Sequence, residues 1–344
     1  MEKYYTEPVN TAYSYRQDYI DSIHKYTRHL LKAAAKKRVT PESMRTSREK
    51  YRRLFIRMLG KPLTDYKRSI PHVKSEYIGE DSLCRIYRLQ MGANRYIKAY
   101  AVLCVPKTEG RHSAVIAQHG GGGTPELLLD MHGDNNYSHI SKLALSKGCV
   151  VLAPQLAVWS MNVEGTFPGY AVCYDRNEID QKLKMCGGSV TALEVYNIRK
   201  WIDYLETLDF VNPDKIGMLG LSYGGYFTLH AAAADTRIKA ALSCAGFIKP
   251  DTLTGFYDWR YFNSAVKFFN AEIAGLCAPR LLCVDMGKTD HVFDWRGSAD
   301  EAKYAVEFYK AANCPDSFVY NLWDGGHKID VNGKACKRFF EYMK

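Results

Sequence analysis

The 344-residue chain has few long apolar runs, although 47% of its residues are hydrophobic. None of the runs approaches the roughly 20 residues that a membrane-spanning helix requires. The first residues, Met1 to Pro8, are polar and contain no apolar core of the kind found in a secretory signal. We therefore expect a cytoplasmic protein that does not bind membranes.

The sequence also lacks Cys-x-x-Cys motifs, although it contains ten cysteines. Four of them lie in apolar, strand-like runs, where a thiol behaves as a small buried hydrophobe: Cys104, Cys149, Cys244 and Cys283. This placement favours reduced structural thiols over a disulfide framework. No motif indicates a metal site, and we expect neither a metal nor an organic cofactor.

Excess charge is confined to the N-terminal part of the chain. The first 75 residues hold 18 Lys and Arg against 7 Asp and Glu, whereas the remainder is close to neutral within the overall net charge of +10. A basic segment of this kind can bind nucleic acid or an anionic surface.

Apolar residues within this basic segment recur at helical spacing. One set is Tyr19, Ile23, Tyr26 and Leu30; a second set follows Thr40-Pro41, a helix N-cap with proline at the first position, and ends at Gly60. A patterned apolar face predicts docking rather than nucleic-acid binding. We therefore expect residues 1–74 to form a basic amphipathic helical extension that packs on the rest of the chain or on a second subunit, which leaves a homo-oligomer open.

Residues 75–344 contain no internal repeat and alternate between strand-like and helix-like patterns, as α/β domains do. The pattern predicts an antiparallel strand pair, then buried strands separated by helices near 125–146, 190–205, 299–312 and 333–343. The predicted strands are 82–91, 95–106, 113–119, 149–154, 238–244, 281–285 and 318–322, together with one that ends before Gly220. The fold class expected is α/β, with a mostly parallel, doubly wound sheet.

The most informative motif is Gly220-Leu-Ser-Tyr-Gly224, which separates an apolar strand from a helix-compatible stretch. A G-x-S-x-G sequence in this context predicts a sharp turn that exposes a nucleophilic serine, here Ser222. The glycines let the strand and the helix approach closely enough to hold the serine in a strained conformation.

Three further segments stand in the order that such a serine requires. Downstream, a strand opens into a loop with Asp290, and another ends in Gly325-Gly326-His327. Upstream, a strand runs into His119 and the glycine run Gly120–Gly123. Each lies beyond the C-terminal end of a predicted strand, where open α/β sheets collect their active-site residues.

Taken together, these motifs resemble the α/β-hydrolase superfamily, in particular its acetyl xylan esterase-like and dienelactone hydrolase-like serine esterases. The resemblance extends over residues 75–344 and implies a catalytic domain there. It implies Ser222 as nucleophile, His327 as general base and Asp290 as the acid that orients the histidine. It also implies an oxyanion hole from the N–H groups of Tyr223, Gly121 and Gly122.

The acid is the least determined member of the set. Asp285 and Asp294 lie in the same strand-loop region as Asp290, and both stay open as alternatives. Asp324 is close to His327 in sequence, but the order of residues in the superfamily disfavours it. His119 precedes the serine and adjoins the glycine run, which indicates a structural role.

Aromatic residues after the strands at 149–154 and 238–244 are the candidates for a substrate pocket, Trp159, Tyr257 and Trp259 among them. They could equally form the apolar underside of a cap. The resemblance implies a small-molecule ester substrate with a short acyl group, such as an acetylated carbohydrate. Two alternatives stay open: a small serine exopeptidase or amidase, and a non-catalytic binding protein with the same fold.

Overall fold

A computed structural model of the protein describes residues 4–131, 135–157, 175–249 and 255–344. Within these ranges nine strands form one sheet in the order β1-β2-β3-β5-β4-β6-β7-β8-β9. The strands are β1 (His72–Glu80), β2 (Cys84–Gly92), β3 (Lys98–Pro106), β4 (His112–Gln118), β5 (Val150–Pro154), β6 (Val211–Leu221), β7 (Ile238–Cys244), β8 (Leu281–Gly287) and β9 (Phe318–Trp323).

The helices of the described ranges lie before the sheet in sequence, between its strands and after its last strand. They are α1 (Tyr13–Ala35), α2 (Pro41–Leu59), α3 (Pro125–Leu128), α4 (Ile140–Ser146), α5 (Arg176–Met185), α6 (Val190–Leu205), α7 (Tyr223–Ala234), α8 (Asn270–Cys277), α9 (Trp295–Ala311) and α10 (Lys334–Met343). None of these helices is both long and apolar enough to cross a membrane.

The sheet is mixed but mainly parallel. Strands β4 to β9 pair in parallel, whereas β1, β2 and β3 pair antiparallel and join the rest through an antiparallel β3–β5 contact. Strand β8 is buried along its whole length, and β4 and the C-terminal half of β6 are largely buried, which explains their nearly continuous apolar sequences. The predicted fold class is confirmed. The parallel arrangement brings the C-terminal ends of β4, β6, β7, β8 and β9 to one edge.

Two local predictions differ from the structure. The helix expected near 125–146 is replaced by two short helices, α3 and α4, and the connection between them includes left-handed backbone at Asp130, Ser138 and His139. Strand β1 was not predicted and extends across the expected boundary at residue 74. It is an edge strand with mostly exposed side chains, so its sequence shows no apolar run.

Helix α2 follows the sequence signals at both ends. The Thr40 hydroxyl accepts a hydrogen bond from the Ser43 N–H at 3.3 Å, and Gly60 ends the helix with a φ of 87°. Met44, Phe55 and Leu59 are buried against the body of the protein. The second half of the basic extension is therefore part of the folded core.

Arg52 holds α2 in place by capping the C-terminal ends of α7 and α8. The Arg52 guanidinium donates hydrogen bonds to the carbonyls of Ala233 and, at 2.9 Å, Leu276, in the last turns of α7 and α8. Arg280 donates to Ala232 in the same region at 2.7 Å. The last carbonyls of a helix lack partners within it and carry partial negative charge, which a guanidinium neutralises. Part of the positive charge near the N-terminus thus has a structural role.

Arg38, just before α2, binds two buried carboxylates. Its guanidinium contacts Glu272 at 2.5 Å and Glu301 at 2.9 Å, and these glutamates are 0% and 2% exposed. Burial raises the pKa of both carboxyls, although Arg38 opposes this. Arg38 therefore compensates two acids that the core excludes from water.

We predict that Arg38→Met lowers the free energy of unfolding by about 3 kcal/mol at neutral pH, because Glu272 and Glu301 lose their counter-ion. The loss should be smaller near pH 5, since both carboxyls then take up protons more easily. Urea unfolding at the two pH values measures this. Arg68→Met is the control: Arg68 is 68% exposed in its contact with Glu206, and such a pair is worth about 1 kcal/mol or less. Equal losses in the two variants would contradict the prediction.

Candidate active site

Ser222 occupies the turn between β6 and α7, at the C-terminal edge of the sheet. Its φ is 59° and its ψ is −117°, a conformation that residues other than glycine rarely adopt. Two backbone hydrogen bonds hold it there: the Ser222 N–H donates to Cys244 at 2.8 Å, and its carbonyl accepts from Tyr226 at 2.9 Å. The residue is 8% exposed. This is the strained turn that the motif predicts.

Neighbouring glycines make room for the turn. A Cβ added to Gly224 would lie 2.1 Å from the Gln118 carbonyl oxygen, and one added to Gly225 would lie 2.3 Å from that of Cys244. Both distances are far below van der Waals contact, and backbone atoms cannot move aside as a flexible side chain can. The first turn of α7 is thus pressed between the ends of β4 and β7.

Asp290 and His327 meet in the loops that follow β8 and β9. The Asp290 Oδ2 lies 2.7 Å from the His327 Nδ1, and its Oδ1 accepts the N–H groups of Val292 and Phe293 at 2.7 and 3.1 Å. Burial disfavours the charged carboxylate, but the His327 contact and these N–H groups outweigh it and hold the pKa of Asp290 below its ordinary value. An ionised Asp290 favours the His327 tautomer that carries its proton on Nδ1.

The other aspartates have different partners. Asp285 accepts hydrogen bonds from the Asn321 side chain at 2.6 Å and the Asp330 N–H at 2.9 Å. Asp294 caps α9 by accepting the Arg296 N–H, and Asp324 is exposed and paired with Lys288. The structure therefore brings Asp290 to His327, while Asp285 contacts Asn321 and Asp330, and Asp294 caps a helix.

The glycine run after β4 forms a tight turn beside Ser222. The Gly123 N–H donates to the Gly120 carbonyl at 3.1 Å, and Gly122 is left-handed with a φ of 70°. A Cβ on Gly120 would lie 3.3 Å from the Cβ of Ser222. Gly121 and Gly122 occupy the middle of this turn.

His119 and Tyr137 hold the turn in place through hydrogen bonds to Gly120. The His119 Nδ1–H donates to the Gly120 carbonyl at 2.9 Å, and its Nε2 accepts the Leu156 N–H at 3.0 Å. Burial lowers the pKa of His119 to about 4, so the ring is neutral and both nitrogens are used structurally. The Gly120 N–H donates to the Tyr137 hydroxyl at 2.9 Å. Sequence reasoning missed Tyr137, because its contact with Gly120 joins residues 17 positions apart in the chain.

A series of aromatic rings connects the serine turn to the histidine. The ring of Tyr223 lies 5.1 Å from that of Trp259, Trp259 lies 5.5 Å from Phe293, and Phe293 lies 5.6 Å from His327. Trp259 is only 4% exposed, so it belongs to the supporting wall, whereas Tyr257 is 61% exposed. Trp159, the third predicted pocket residue, lies outside the described residues.

A buried ion pair lies behind Tyr223. Arg176 contacts Asp258 at 2.7 Å, with both side chains 3% exposed, and its guanidinium lies 4.6 Å from the centre of the Tyr223 ring. The Tyr223 hydroxyl donates to the other oxygen of Asp258 at 3.1 Å. The side chain of Tyr223 is thereby fixed on two sides. Nothing in the local sequence indicates this group, because its members are 35 to 82 residues apart.

Metal binding has no support in the described part of the chain. No group of three or more His, Cys, Asp or Glu side chains is arranged there to hold an ion. The arrangement of a strained serine, a neighbouring glycine turn and an aspartate-bound histidine is that of a hydrolase of the α/β type.

Comparison with known proteins agrees with this class. Residues 190–272, which include the serine turn, match the model of the prolyl oligopeptidase family of peptidases. The chain is 31% identical over 261 residues to YtaP, a candidate hydrolase of Bacillus subtilis, and the match covers 70% of this chain and 81% of YtaP. The chain therefore belongs to the same hydrolase family as YtaP, within the α/β-hydrolase superfamily.

Solved structures share the fold at low sequence identity. A candidate acetyl xylan esterase from Bacteroides fragilis aligns with a TM-score of 0.67 and 14% identity, over 86% of this chain and 81% of that one. A glucuronoyl esterase from Solibacter usitatus aligns with a TM-score of 0.61 and 14% identity, over 88% and 92%. These proteins therefore share the fold of this chain over most of its length.

Two buried carboxyls outside the Asp290–His327 pair link stability to pH. Burial raises the pKa of Asp285 to about 7, despite the hydrogen bonds from Asn321 and Asp330, and burial also raises the pKa of Glu194 to about 7. Both values lie above those of an unfolded chain, so the folded state binds more protons between about pH 4 and pH 7. The free energy of unfolding therefore falls as the pH rises through this window.

We predict that Asp285→Asn makes this pH dependence shallower by up to one proton, or about 1.4 kcal/mol per pH unit. Urea unfolding of wild type and variant at several pH values between 4.5 and 7.5 measures the slopes. Asp294→Asn is the control, since its side chain is 56% exposed and caps a helix. An unchanged slope in Asp285→Asn would show that Asp285 does not carry the proton.

Proposed function

We propose that the protein hydrolyses carboxylic esters through Ser222, His327 and Asp290, by way of an acyl-enzyme. The observation that carries the proposal is the 2.7 Å contact between Asp290 and His327 at the sheet edge where the strained Ser222 turn lies. A serine hydroxyl becomes a useful nucleophile only when a neighbouring base removes its proton. His327 is suited to this role because Asp290 orients its ring and stabilises the imidazolium.

The reaction proceeds in two halves. Ser222 Oγ attacks the acyl carbon while His327 takes its proton, and the tetrahedral intermediate collapses as His327 returns that proton to the departing alcohol. Water, deprotonated by His327, then attacks the acyl-enzyme and releases the acid. The serine is regenerated, and both half-reactions use the same base.

Backbone N–H groups stabilise the acyl carbonyl oxygen of the substrate as it becomes negatively charged. We assign the Tyr223 N–H, in the first turn of α7, and those of Gly121 and Gly122 to the oxyanion hole. The helix N-terminus adds partial positive charge at the same place. Each such donor is typically worth about 3 kcal/mol of barrier. Arg176 and Asp258 support this role, because they fix the side chain of the residue that supplies the first donor.

For the substrate, we propose a short-acyl ester, with an acetylated carbohydrate as the leading class. Two features support it: the solved structures of the same fold named above are carbohydrate esterases, and the wall formed by Tyr223, Trp259 and Phe293 is aromatic. Tyr257, which is largely exposed, offers a ring for stacking against a sugar. Trp159 remains a predicted residue of the substrate pocket.

A second candidate activity is hydrolysis of amides, as a small exopeptidase. The match of residues 190–272 to the prolyl oligopeptidase family favours it, and the same three residues would cleave either bond. The discriminating experiment compares p-nitrophenyl acetate, butyrate, octanoate and decanoate with aminoacyl p-nitroanilides. Turnover that is highest for acetate and falls with chain length supports the esterase. Preference for the anilides would replace it with the peptidase.

Ser222→Ala should abolish ester turnover, with a fall in kcat of about 10⁴-fold or more, because no other hydroxyl replaces the nucleophile. Its melting temperature should stay within a few degrees of wild type. Labelling by a fluorophosphonate probe should disappear together with activity. Turnover near the wild-type rate would exclude Ser222 as the nucleophile.

Asp290→Asn should lower kcat by about 10³- to 10⁴-fold, because an amide no longer holds His327 in the tautomer that accepts the serine proton. Asp285→Asn is the matched control: it makes the same isosteric change at a carboxylate of β8 that contacts Asn321 and Asp330. We expect its kcat to remain within about threefold of wild type. The reverse result would transfer the acid role to Asp285.

A further inference from the structure

A cleft of about 620 Å³ lies between α2 and the segment that leads into β8. Its walls come from residues 45–50 and 52 of α2, from Thr236, and from Ala278–Arg280, which directly precede β8. Asp290 follows the other end of that strand, so roughly 20 Å of strand separates the cleft from the Asp290–His327 pair. The cleft is therefore distinct from the candidate active site, and we call it the basic cleft.

Cationic side chains dominate the lining of the basic cleft. Among the described residues the lining contains five of them: Arg45, Arg48, Lys50, Arg52 and Arg280. The one carboxylate in the same lining is that of Glu49, which is 64% exposed and contacts Arg52 at 3.1 Å. Positive charges around a concave surface reinforce one another, because the low-dielectric walls focus their field. The cleft therefore attracts anions.

Two of these cations already have partners in the protein. Arg52 caps the ends of α7 and α8, and Arg280 donates to the carbonyls of Ala232 and Ile238 at 2.7 and 2.6 Å. The partial negative charge of the two helix ends is thereby neutralised. Arg45 and Lys50 are exposed, and neither forms an ion pair with any described residue. Their charges remain for a ligand.

Arg48 is only partly compensated. Its Nε donates to the Gly275 carbonyl at 3.2 Å, whereas its Nη2 is buried and has no hydrogen-bond partner among the described residues. Burial and the neighbouring positive charge of Arg52 lower the pKa of Arg48, so both disfavour its charged form. A buried donor without a partner also costs free energy. An anion in the cleft would offset the repulsion from Arg52 and offer the guanidinium a further acceptor.

The backbone of α2 is irregular where it borders the basic cleft. Ser47 departs from helical geometry, with a φ of −135° and a ψ of 28°. All six residues from Arg45 to Lys50 line the cleft, although six consecutive residues of a regular helix would be distributed around its whole circumference. The irregular turn therefore gathers neighbouring residues at one concave surface. Ser47 and Thr236 add hydroxyl-bearing residues to it.

We propose that the basic cleft binds the phosphate group of a small phosphorylated molecule. A phosphate ester carries about 1.5 to 2 negative charges and three strong acceptor oxygens, so it suits several cations better than a carboxylate does. A guanidinium matches two of those oxygens with parallel N–H groups. The volume of the cleft is within the range of about 300 to 1,000 Å³ for small-molecule sites, which leaves room for the rest of the ligand.

A nucleic-acid backbone is the alternative partner for clustered arginines. Such a polymer is bound along an extended surface, whereas the cations here surround one cleft. Arg53 and Arg57 are also exposed on α2 but do not line the cleft. The observations therefore favour a small ligand, and these two arginines provide a control.

The first test is calorimetric titration of the full chain with inorganic phosphate, glucose 6-phosphate and adenosine monophosphate in chloride buffer of constant ionic strength. We expect one saturable site, and at least about tenfold weaker binding in Arg45→Gln/Arg48→Gln, because two charge-assisted contacts are lost. Arg53→Gln/Arg57→Gln removes the same charge from the same helix outside the cleft and should bind within about twofold of wild type.

Three outcomes would overturn the proposal. The first is that wild type shows no saturable binding of any of the three probes. The second is equal weakening in Arg45→Gln/Arg48→Gln and Arg53→Gln/Arg57→Gln, which would indicate an effect of net charge alone. The third is unchanged binding in Arg45→Gln/Arg48→Gln, which would place the phosphate elsewhere on the protein.

A second variant separates loss of binding from loss of folding. Arg48 contacts Gly275, so its replacement can disturb the docking of α2 on α8. Arg45→Gln/Lys50→Gln changes only exposed side chains, and its melting temperature should equal that of wild type. We expect it to bind phosphate at least about fivefold more weakly. If it binds like wild type, the cleft is not the site.

Titration with a 20-nucleotide single-stranded DNA tests the polymer. A cleft for one phosphate group gains little from further phosphates, so we expect the DNA to bind within about tenfold of adenosine monophosphate. Much tighter DNA binding, weakened equally by Arg45→Gln/Arg48→Gln and Arg53→Gln/Arg57→Gln, would replace the small ligand with a nucleic acid. None of these measurements uses an ester, so their results are independent of the proposed hydrolysis.

Discussion

The close approach of α7 to the ends of β4 and β7 is the constraint on which the site depends. The carbonyl oxygens of Gln118 and Cys244 occupy the space that side chains on Gly224 and Gly225 would need. The same Cys244 carbonyl accepts the Ser222 N–H and so holds the residue in its strained conformation. The strain is thus maintained by the strand order of the sheet, since β4 and β7 lie on either side of β6.

How far the sequence predicts the site depends on whether a residue's role is encoded locally. Ser222 and His327 follow from short motifs that glycine makes recognisable, and the fold class follows from the alternation of patterns. Asp290 and Asp285 are only five residues apart, so the sequence leaves both open as the partner of His327. The structure distinguishes their environments, because Asp290 contacts the histidine whereas Asp285 contacts an asparagine and a backbone N–H.

Residues that act through distant contacts were missed. Tyr137 supports the glycine turn from 17 residues away, and Arg176 reaches Asp258 across 82 residues. No periodicity or spacing encodes such contacts, since they depend on how loops at one sheet edge converge. The positive charge near the N-terminus has a similar explanation. Its excess suggests an anionic partner, yet Arg38 and Arg52 are used to neutralise acids and helix ends within the chain.

The capping by Arg52 has a consequence for the order of events during synthesis. Helix α2 leaves the ribosome before its partners Ala233 and Leu276, which are made about 180 and 225 residues after Arg52. Until then its apolar face has no native surface to cover it, and the carbonyls that Arg52 will cap do not yet exist. Helix α2 is therefore made well before it can dock, so the nascent protein carries an uncovered amphipathic segment while the residues between α2 and these partners are synthesised.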